Sequence, residues 1–355
     1  MATGPGFPQA NNTFIPHDLS GRLRIGFSRN AKKFHLPKYI EYVECPKSTG
    51  YFLKITTQEA ARILTEPEVS WPDGAPDPLT DTGTESFKFV PFVTERRRYR
   101  FRVGDKAEKQ AVWPIVESNA QNKAAQCMTN RTNRVLTVAT TATNWNAAGD
   151  TDNLSGNHTA TATAAGGGKF DVGTSTAPYI KNALGYAASL INKDTLGVVD
   201  SDPDSLLVII NPDEAIAWAK SPELHDYIKG SYWAQDEIHK GAHPNGKYGL
   251  PSTIYGYSIV VENCVKVTNT RKSAKAASYA MPASTVLMVS KPKQLEGIYG
   301  APSFSTLSMF WYQDEMTVET KHEDWDRLTD GRVVEDTSEQ VTCPASGFLF
   351  TATSG

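Results

Sequence analysis

The chain has 355 residues, 39% of them hydrophobic, enough for one large buried core or two smaller ones. Its 36 Lys and Arg nearly balance 39 Asp and Glu, which excludes a protein that condenses nucleic acid by bulk charge. Residues Met1 to Pro8 carry neither a basic region nor an apolar run, and the longest aliphatic run, Leu206 to Ile210, cannot cross a bilayer. A soluble protein made in a cytoplasm is expected, with no membrane partner.

In chain order, residues 1–38 are rich in Asn, Gly and Pro, with Arg22, Arg24, Arg29, Lys32 and Lys33 threaded through them. Such a stretch buries too little apolar surface to fold by itself, so it reads as disordered or as an arm ordered against a neighbour. Tyr39–Glu44 and Tyr51–Ile55 flank Pro46–Gly50 and predict a hairpin. Thr56 with Glu59 predicts a capped helix through Leu64, and Glu66–Thr84 reads as loop.

Phe87–Val93 and Tyr99–Val103, joined by Thr94–Arg98, predict a long two-stranded ribbon carrying Arg96, Arg97, Arg98, Arg100 and Arg102. A lone hairpin in water is marginal, so this one is expected to lie on another surface. The arginine run has three readings: a solvated tip, a nucleic-acid contact, or contact with an acidic patch on a neighbouring subunit. The third is preferred, because arginine forks suit interface carboxylates.

Asp105 with Glu108 predicts a second capping box and a long helix towards Arg131, with Pro114 kinking it or marking its first turn. Its apolar stripe (Val112, Val116, Ala120, Ala124, Cys127) is thin, as suits a helix lying across a sheet. Thr137–Thr176 is Thr/Ala/Gly/Asn-rich and reads as loop without core residues.

A compact α/β pattern follows. A helix is predicted over Tyr179–Asn192 (stripe Ile180, Leu184, Ala187, Ile191), then a buried strand over Ser205–Ile210. Asn211-Pro212-Asp213-Glu214 caps a helix ending near Lys220, and Ser221-Pro222-Glu223 opens another. Further strands are predicted at Tyr257–Glu262, Thr285–Ser290, Met316–Lys321, Arg332–Glu335 and Phe348–Thr353.

The residues give no active site. Ala165–Lys169 lacks the GxxxxGK[ST] phosphate fingerprint, since Phe170 follows the lysine. Asp200, Asp202 and Asp204 alternate as in a calcium loop, but Ser205 and Asn211 stand where Gly and Glu are needed. Glu237, His239 and His243 could share a helix face, yet Gly241, Pro244 and Gly246 break it. Cys45, Cys127, Cys264 and Cys343 are scattered and read as reduced packing residues. No catalytic, cofactor-binding or metal residue is assigned, and no enzyme is expected.

Leu250-Pro-Ser-Thr-Ile-Tyr-Gly-Tyr-Ser-Ile-Val-Val-Glu262 resembles the Leu-(Pro)-x-x-Leu-x-Gly-x-Pro-Val-Val segment of tailed-phage major capsid proteins of the Hong Kong 97 type. Thr285–Tyr299 resembles the strand-turn element that follows it. Asp314–Thr320, Asp330–Glu335 and Val341–Phe350 resemble the closing strands. The order upstream agrees, so the resemblance covers nearly the whole chain.

The resemblance implies an α+β, Hong Kong 97-like capsid fold. It divides the chain into an N-terminal arm (1–38), peripheral domain (39–84), extended β-hairpin loop (85–104) and long spine helix of the peripheral domain (105–140). The axial domain (141–304), peripheral strands (305–335) and a return into the axial domain (336–355) follow. The implied function is a structural subunit assembling as hexamers and pentamers into an icosahedral shell around double-stranded DNA. It would be located in the virion and assembled in the host cytoplasm. Portal, scaffolding and decoration proteins are the implied partners, and the packaged DNA would be held non-specifically. Some relatives join a hairpin lysine to an asparagine; Lys88 could donate, but no Asn follows Asn269, so no isopeptide crosslink is expected. The chain starts at Met1 with the hairpin near residue 85, which predicts a separate scaffolding protein rather than a scaffold domain. Three alternatives remain: an encapsulin-type compartment of the same fold, a decoration or binding protein that forms no shell, and, least favoured, an undetected hydrolase.

Overall fold

The computed structural model describes residues 34–55, 87–111, 113–145, 157–195, 197, 199, 205–241, 243–267, 276–292 and 305–354. Most of the expected arm, the helix expected from Thr56, the loop Glu66–Thr84, Val112 and the Asp200–Asp204 run lie outside them.

Strands β1 (Glu41–Glu44), β2 (Thr49–Ile55), β3 (Phe87–Val93) and β4 (Glu95–Gly104) precede helices α1 (Asp105–Gln110) and α2 (Ile115–Ala139). Then come β5 (Thr159–Thr161), α3 (Ala162–Gly166), α4 (Tyr179–Asp194), β6 (Leu206–Ile210), α5 (Pro212–Lys220), α6 (Pro222–Gly230) and α7 (Tyr232–Lys240). Strands β7 (Thr253–Ile254), β8 (Tyr257–Val261), β9 (Val265–Val267), β10 (Ala277–Tyr279), β11 (Thr285–Ser290) and β12 (Leu307–Trp311) lead to the closing strands. Those are β13 (Thr317–Glu323), β14 (Leu328–Val341) and β15 (Gly347–Thr351).

A six-stranded mixed sheet, ordered β5-β15-β11-β6-β8-β7, forms one layer. Its central strands β6 and β11 are buried along their whole length, because both faces are covered. On one face Leu206, Val208, Ile210, Val286, Met288, Phe348 and Phe350 pack against α4 and α5. On the other, Leu207, Ile209, Leu287, Val289 and Leu349 meet Val135, Leu136 and Ala139 of α2, together with Leu307 and Met309 of β12. The C-terminal half of α2 is thus the bridge to the second sheet, where β1 runs parallel to β12 and β14 pairs with β12, β13 and β4.

Local chemistry explains the helix starts. Asn211 accepts the Glu214 N–H at 2.6 Å, with Pro212 in the first turn. Ser221 makes no side-chain cap bond. Instead the buried Glu223 carboxylate accepts the Ile180 and Lys181 N–H groups (3.0 and 2.9 Å) that open α4, and Tyr255 Oη donates to it at 3.1 Å.

Several expectations need correction. Phe87–Val93 and Tyr99–Val103 do not pair with each other: β3 pairs with β2, and β4 pairs with β14. The hairpin expected from Tyr39–Ile55 also dissolves, since β1 pairs with β12. Pro114 is the N-cap of α2, which continues to Ala139, and the Asp105–Glu108 capping box does not form. The buried stripe of α2 sits towards its C-terminal end, at Ala125, Cys127, Arg131, Thr132, Val135, Leu136 and Ala139. The Gly/Thr-rich stretch is no bare loop either: Trp145 and Phe170 are fully buried, and residues 159–166 form β5 and α3. Finally, β14 crosses the expected boundary at residue 335 without interruption.

At the start of the described chain, Tyr39 Oη donates to the buried Glu262 at 3.1 Å, and the Cys264 N–H donates to the same carboxylate at 3.1 Å. Burial raises the Glu262 carboxyl to about 7, against the opposing pull of its hydrogen bonds from Tyr39, Cys264 and His35. A raised folded value means this group favours folding below about pH 4.5, and the contribution is lost as pH rises through 7. Between pH 5 and 8 the wild type should therefore lose up to about 3 kcal/mol relative to Glu262→Gln, read from urea unfolding at each pH. Stability curves that run parallel for the two proteins would contradict this.

Candidate functional site

Among the described residues no cluster of three His, Cys, Asp or Glu is placed to hold a metal ion. Glu237 instead accepts the Ser252 N–H at 3.0 Å, and His243 Nδ1 accepts the Asn245 N–H at 3.3 Å. Burial, with Glu335 beside it, pushes the Cys127 thiol up to about 12, so it stays protonated and unreactive. No helix among the described residues is long and apolar enough to cross a membrane. The features of note are surfaces.

The first is the β2–β3 ribbon. Alternation sends Phe52 and Phe92 to one face, where Phe92 stacks on Phe310 of β12 with ring centroids 4.3 Å apart and Phe52 follows at 5.7 Å. Gly50 is paired with Phe92, and a Cβ there would lie 2.7 Å from the ring, so glycine makes room for the aromatic seat. The opposite face carries Tyr51, Phe89 and Val93, which are 70%, 66% and 59% exposed. A two-stranded ribbon gains little stability alone, and among the described residues this one keeps an exposed aromatic face.

The second is β4. Its odd-numbered residues face α2: Phe101 and Val103 are buried against Ile115, and Gly331 of β14 lies beneath the Phe101 ring, where a Cβ would clash at 2.2 Å. Arg97 is on this side too, paired with Glu95 at 2.5 Å. Arg96, Arg98, Arg100 and Arg102 stand on the opposite, exposed face as a ladder. The structure gives most of them acids of the same chain: Arg96 meets Asp314 (3.2 Å) and Asp336 (3.7 Å), while Arg100 and Arg102 share Asp330 (2.6 and 3.5 Å). Those two guanidinium groups hold the Asp330 carboxyl below its usual range, outweighing what desolvation it feels. Arg98 has no ion pair among the described residues.

The third feature stiffens the other two. The fully buried Glu335 of β14 lies between Arg131 Nε (3.2 Å) and Arg134 Nη2 (2.9 Å) of α2, and Tyr99 Oη donates to it at 3.1 Å. Arg134 also meets Glu339 at 2.9 Å, and Arg131 reaches the Glu315 carbonyl. This charge network ties the long helix to both β4 and β14. Sequence reasoning missed it, because no local pattern places Arg131 and Arg134 beside Glu335. It also missed Tyr51 and Phe89, having assigned their strands to other partners; the alternation of apolar residues along 49–55 and 87–93 was the available signal.

No family model matches the chain, and no curated protein matches it by sequence. Solved structures do match its fold. A chain from the asymmetric unit of the bacteriophage PhiM1 mature capsid aligns over 93% of this chain and 89% of its own length, with TM-score 0.57 and 11% identity. The capsid structure of the cyanophage P-SCSP1u gives TM-score 0.57 at 12% identity, covering 93% and 90%. A phage-related protein from Bordetella bronchiseptica RB50 gives 0.55 at 13% identity, covering 91% and 93%. The chain has the α+β fold of the two phage capsid chains and of this phage-related protein.

Proposed function

We propose that this chain is the structural subunit of a phage capsid, assembling with copies of itself as hexamers and pentamers into an icosahedral shell that encloses double-stranded DNA. The observation that carries the reading is the aromatic face of the β2–β3 ribbon, exposed among the described residues of a chain whose fold is that of phage capsid chains. Burying Tyr51 and Phe89 alone against a neighbour is worth about 3–6 kcal/mol per subunit, an ample driving force when repeated over a shell.

In the Hong Kong 97-type division, the six-stranded sheet with α4–α7 serves as the axial domain. The sheet containing β14, with α2 as spine, serves as the peripheral domain. The β2–β3 ribbon takes the part of the extended hairpin expected over 85–104, since β3 pairs with β2. The role is structural, in the virion, with portal, scaffolding and decoration proteins as partners.

Sedimentation velocity tests the self-assembly. The chain, expressed alone and together with the genes that flank it, should sediment as particles far larger than the 38.8 kDa monomer. Material that stays monomeric under both conditions would overturn the reading.

A further inference from the structure

The turn Asp324–Arg327 between β13 and β14 holds Trp325 clear of the protein, with a side chain that is 100% exposed. Asp324 and Asp326 flank it, both exposed, and the Asp324 side chain is 92% exposed. The turn is not loose. β14 is paired on both sides up to Leu328, and the Arg327 carbonyl accepts the Asp105 N–H at 2.9 Å. A rigid hairpin thus presents one tryptophan between two carboxylates, of which Asp324 also lies 3.1 Å from His322 Nε2. Such a group suits a surface of guanidinium planes, which stack on the indole and pair with the acids.

The chain carries such a surface on β4. The ladder Arg96, Arg98, Arg100 and Arg102 is joined by Arg332, which is paired with Arg100 across the strands. Its own acids leave it one positive charge in excess: Arg96 has Asp314 and Asp336, Arg332 has Glu319, Arg100 and Arg102 share Asp330, and Arg98 has no ion pair among the described residues. The tip cannot reach the ladder of its own chain. Leu328 is level with Gly104, so the turn projects past the end of β4, while the ladder runs back along Asp330 to Asp336.

We propose that Trp325, with Asp324 and Asp326, seats on the arginine ladder of a second copy of this chain, Arg98 being the position that gains a carboxylate partner. The contact joins two different patches, so it propagates head to tail and closes into a ring where the rotation between copies closes. This rests on the self-assembly reading above. It gives the arginine run a role between subunits while most of its members keep their acids within the chain.

The test compares assembly yields of three purified variants with the wild type. Asp324→Arg with Asp326→Arg should lower the particle yield about tenfold or more, by setting like charges against the ladder. Trp325→Ala should also lower it. All of these positions are exposed, so circular dichroism and thermal melting of the unassembled chain should match the wild type. Adding Arg98→Glu to the double reversal should restore particles. Normal assembly of the tip variants, or a loss that Arg98→Glu does not recover, would overturn the contact while leaving the shell reading intact. Salt-dependent duplex DNA binding by the unassembled chain, lost on Arg98→Glu, would assign the ladder to nucleic acid instead. A wild type that never assembles would overturn both.

Discussion

Glu335→Ala is expected to cost about 3–5 kcal/mol of folding stability. The carboxylate is 0% exposed, and the change strands Arg131, whose side chain is 2% exposed, with only the partly exposed Glu315 to answer its charge. Tyr99 loses its acceptor at the same time. Breaking a buried pair from one side is costly, because the remaining ion has neither water nor a partner. Pairs at the surface behave differently: Arg96→Ala, at a side chain 40% exposed, should change stability by less than about 1 kcal/mol. Equilibrium urea unfolding of both variants measures the contrast. A Glu335→Ala loss under about 1 kcal/mol would mean that water reaches the network and that α2 is not held to β14 by charge.

The largest effect on assembly is expected from Tyr51→Asp combined with Phe89→Asp. Both side chains point away from the Phe52, Phe92 and Phe310 stack, so the ribbon keeps its inner seat and the monomer should melt close to the wild type. Each new carboxylate would be buried without a partner wherever a neighbour covers this face, which adds to the lost apolar contact. Particle formation should fall below detection in sedimentation velocity. Phe92→Ala should do the reverse, lowering monomer stability by about 3–5 kcal/mol through the cavity left beside Phe310. Full-size particles from the double aspartate variant at wild-type yield would show that this face is not an interface.

Much of the fold could be read from local pattern. Asn211-Pro212 and its acidic first turn marked α5, the stripe Ile180, Leu184, Ala187 and Ile191 marked α4, and the continuous apolar run marked β6 as a buried strand. Pairing was harder, because period reports which face a residue takes and not which strand lies beside it. Thr94 alone separates β3 from β4, yet one pairs with β2 and the other with β14, more than two hundred residues away in sequence. Nothing local distinguishes that break from a hairpin turn. Arg131 and Arg134 escaped notice for a related reason: their burial depends on Glu335, a residue whose proximity only the tertiary fold creates. Trp145 and Phe170 were lost in a Gly/Thr-rich background, where single aromatics carry no period.

The arginine run shows both sides of this. Its interest as a surface was legible, and the alternation along β4 sorts Arg96, Arg98, Arg100 and Arg102 to the open face without any structure. Its acidic partners on β14 and near Asp314 were not legible, because they follow from the long-range register.

Negative-stain electron microscopy of the chain, expressed alone and with its flanking genes, tests the shell reading most directly. Closed particles of uniform size, or rings of subunits from which such particles grow, are the predicted result. A field of small single molecules under both conditions would contradict it.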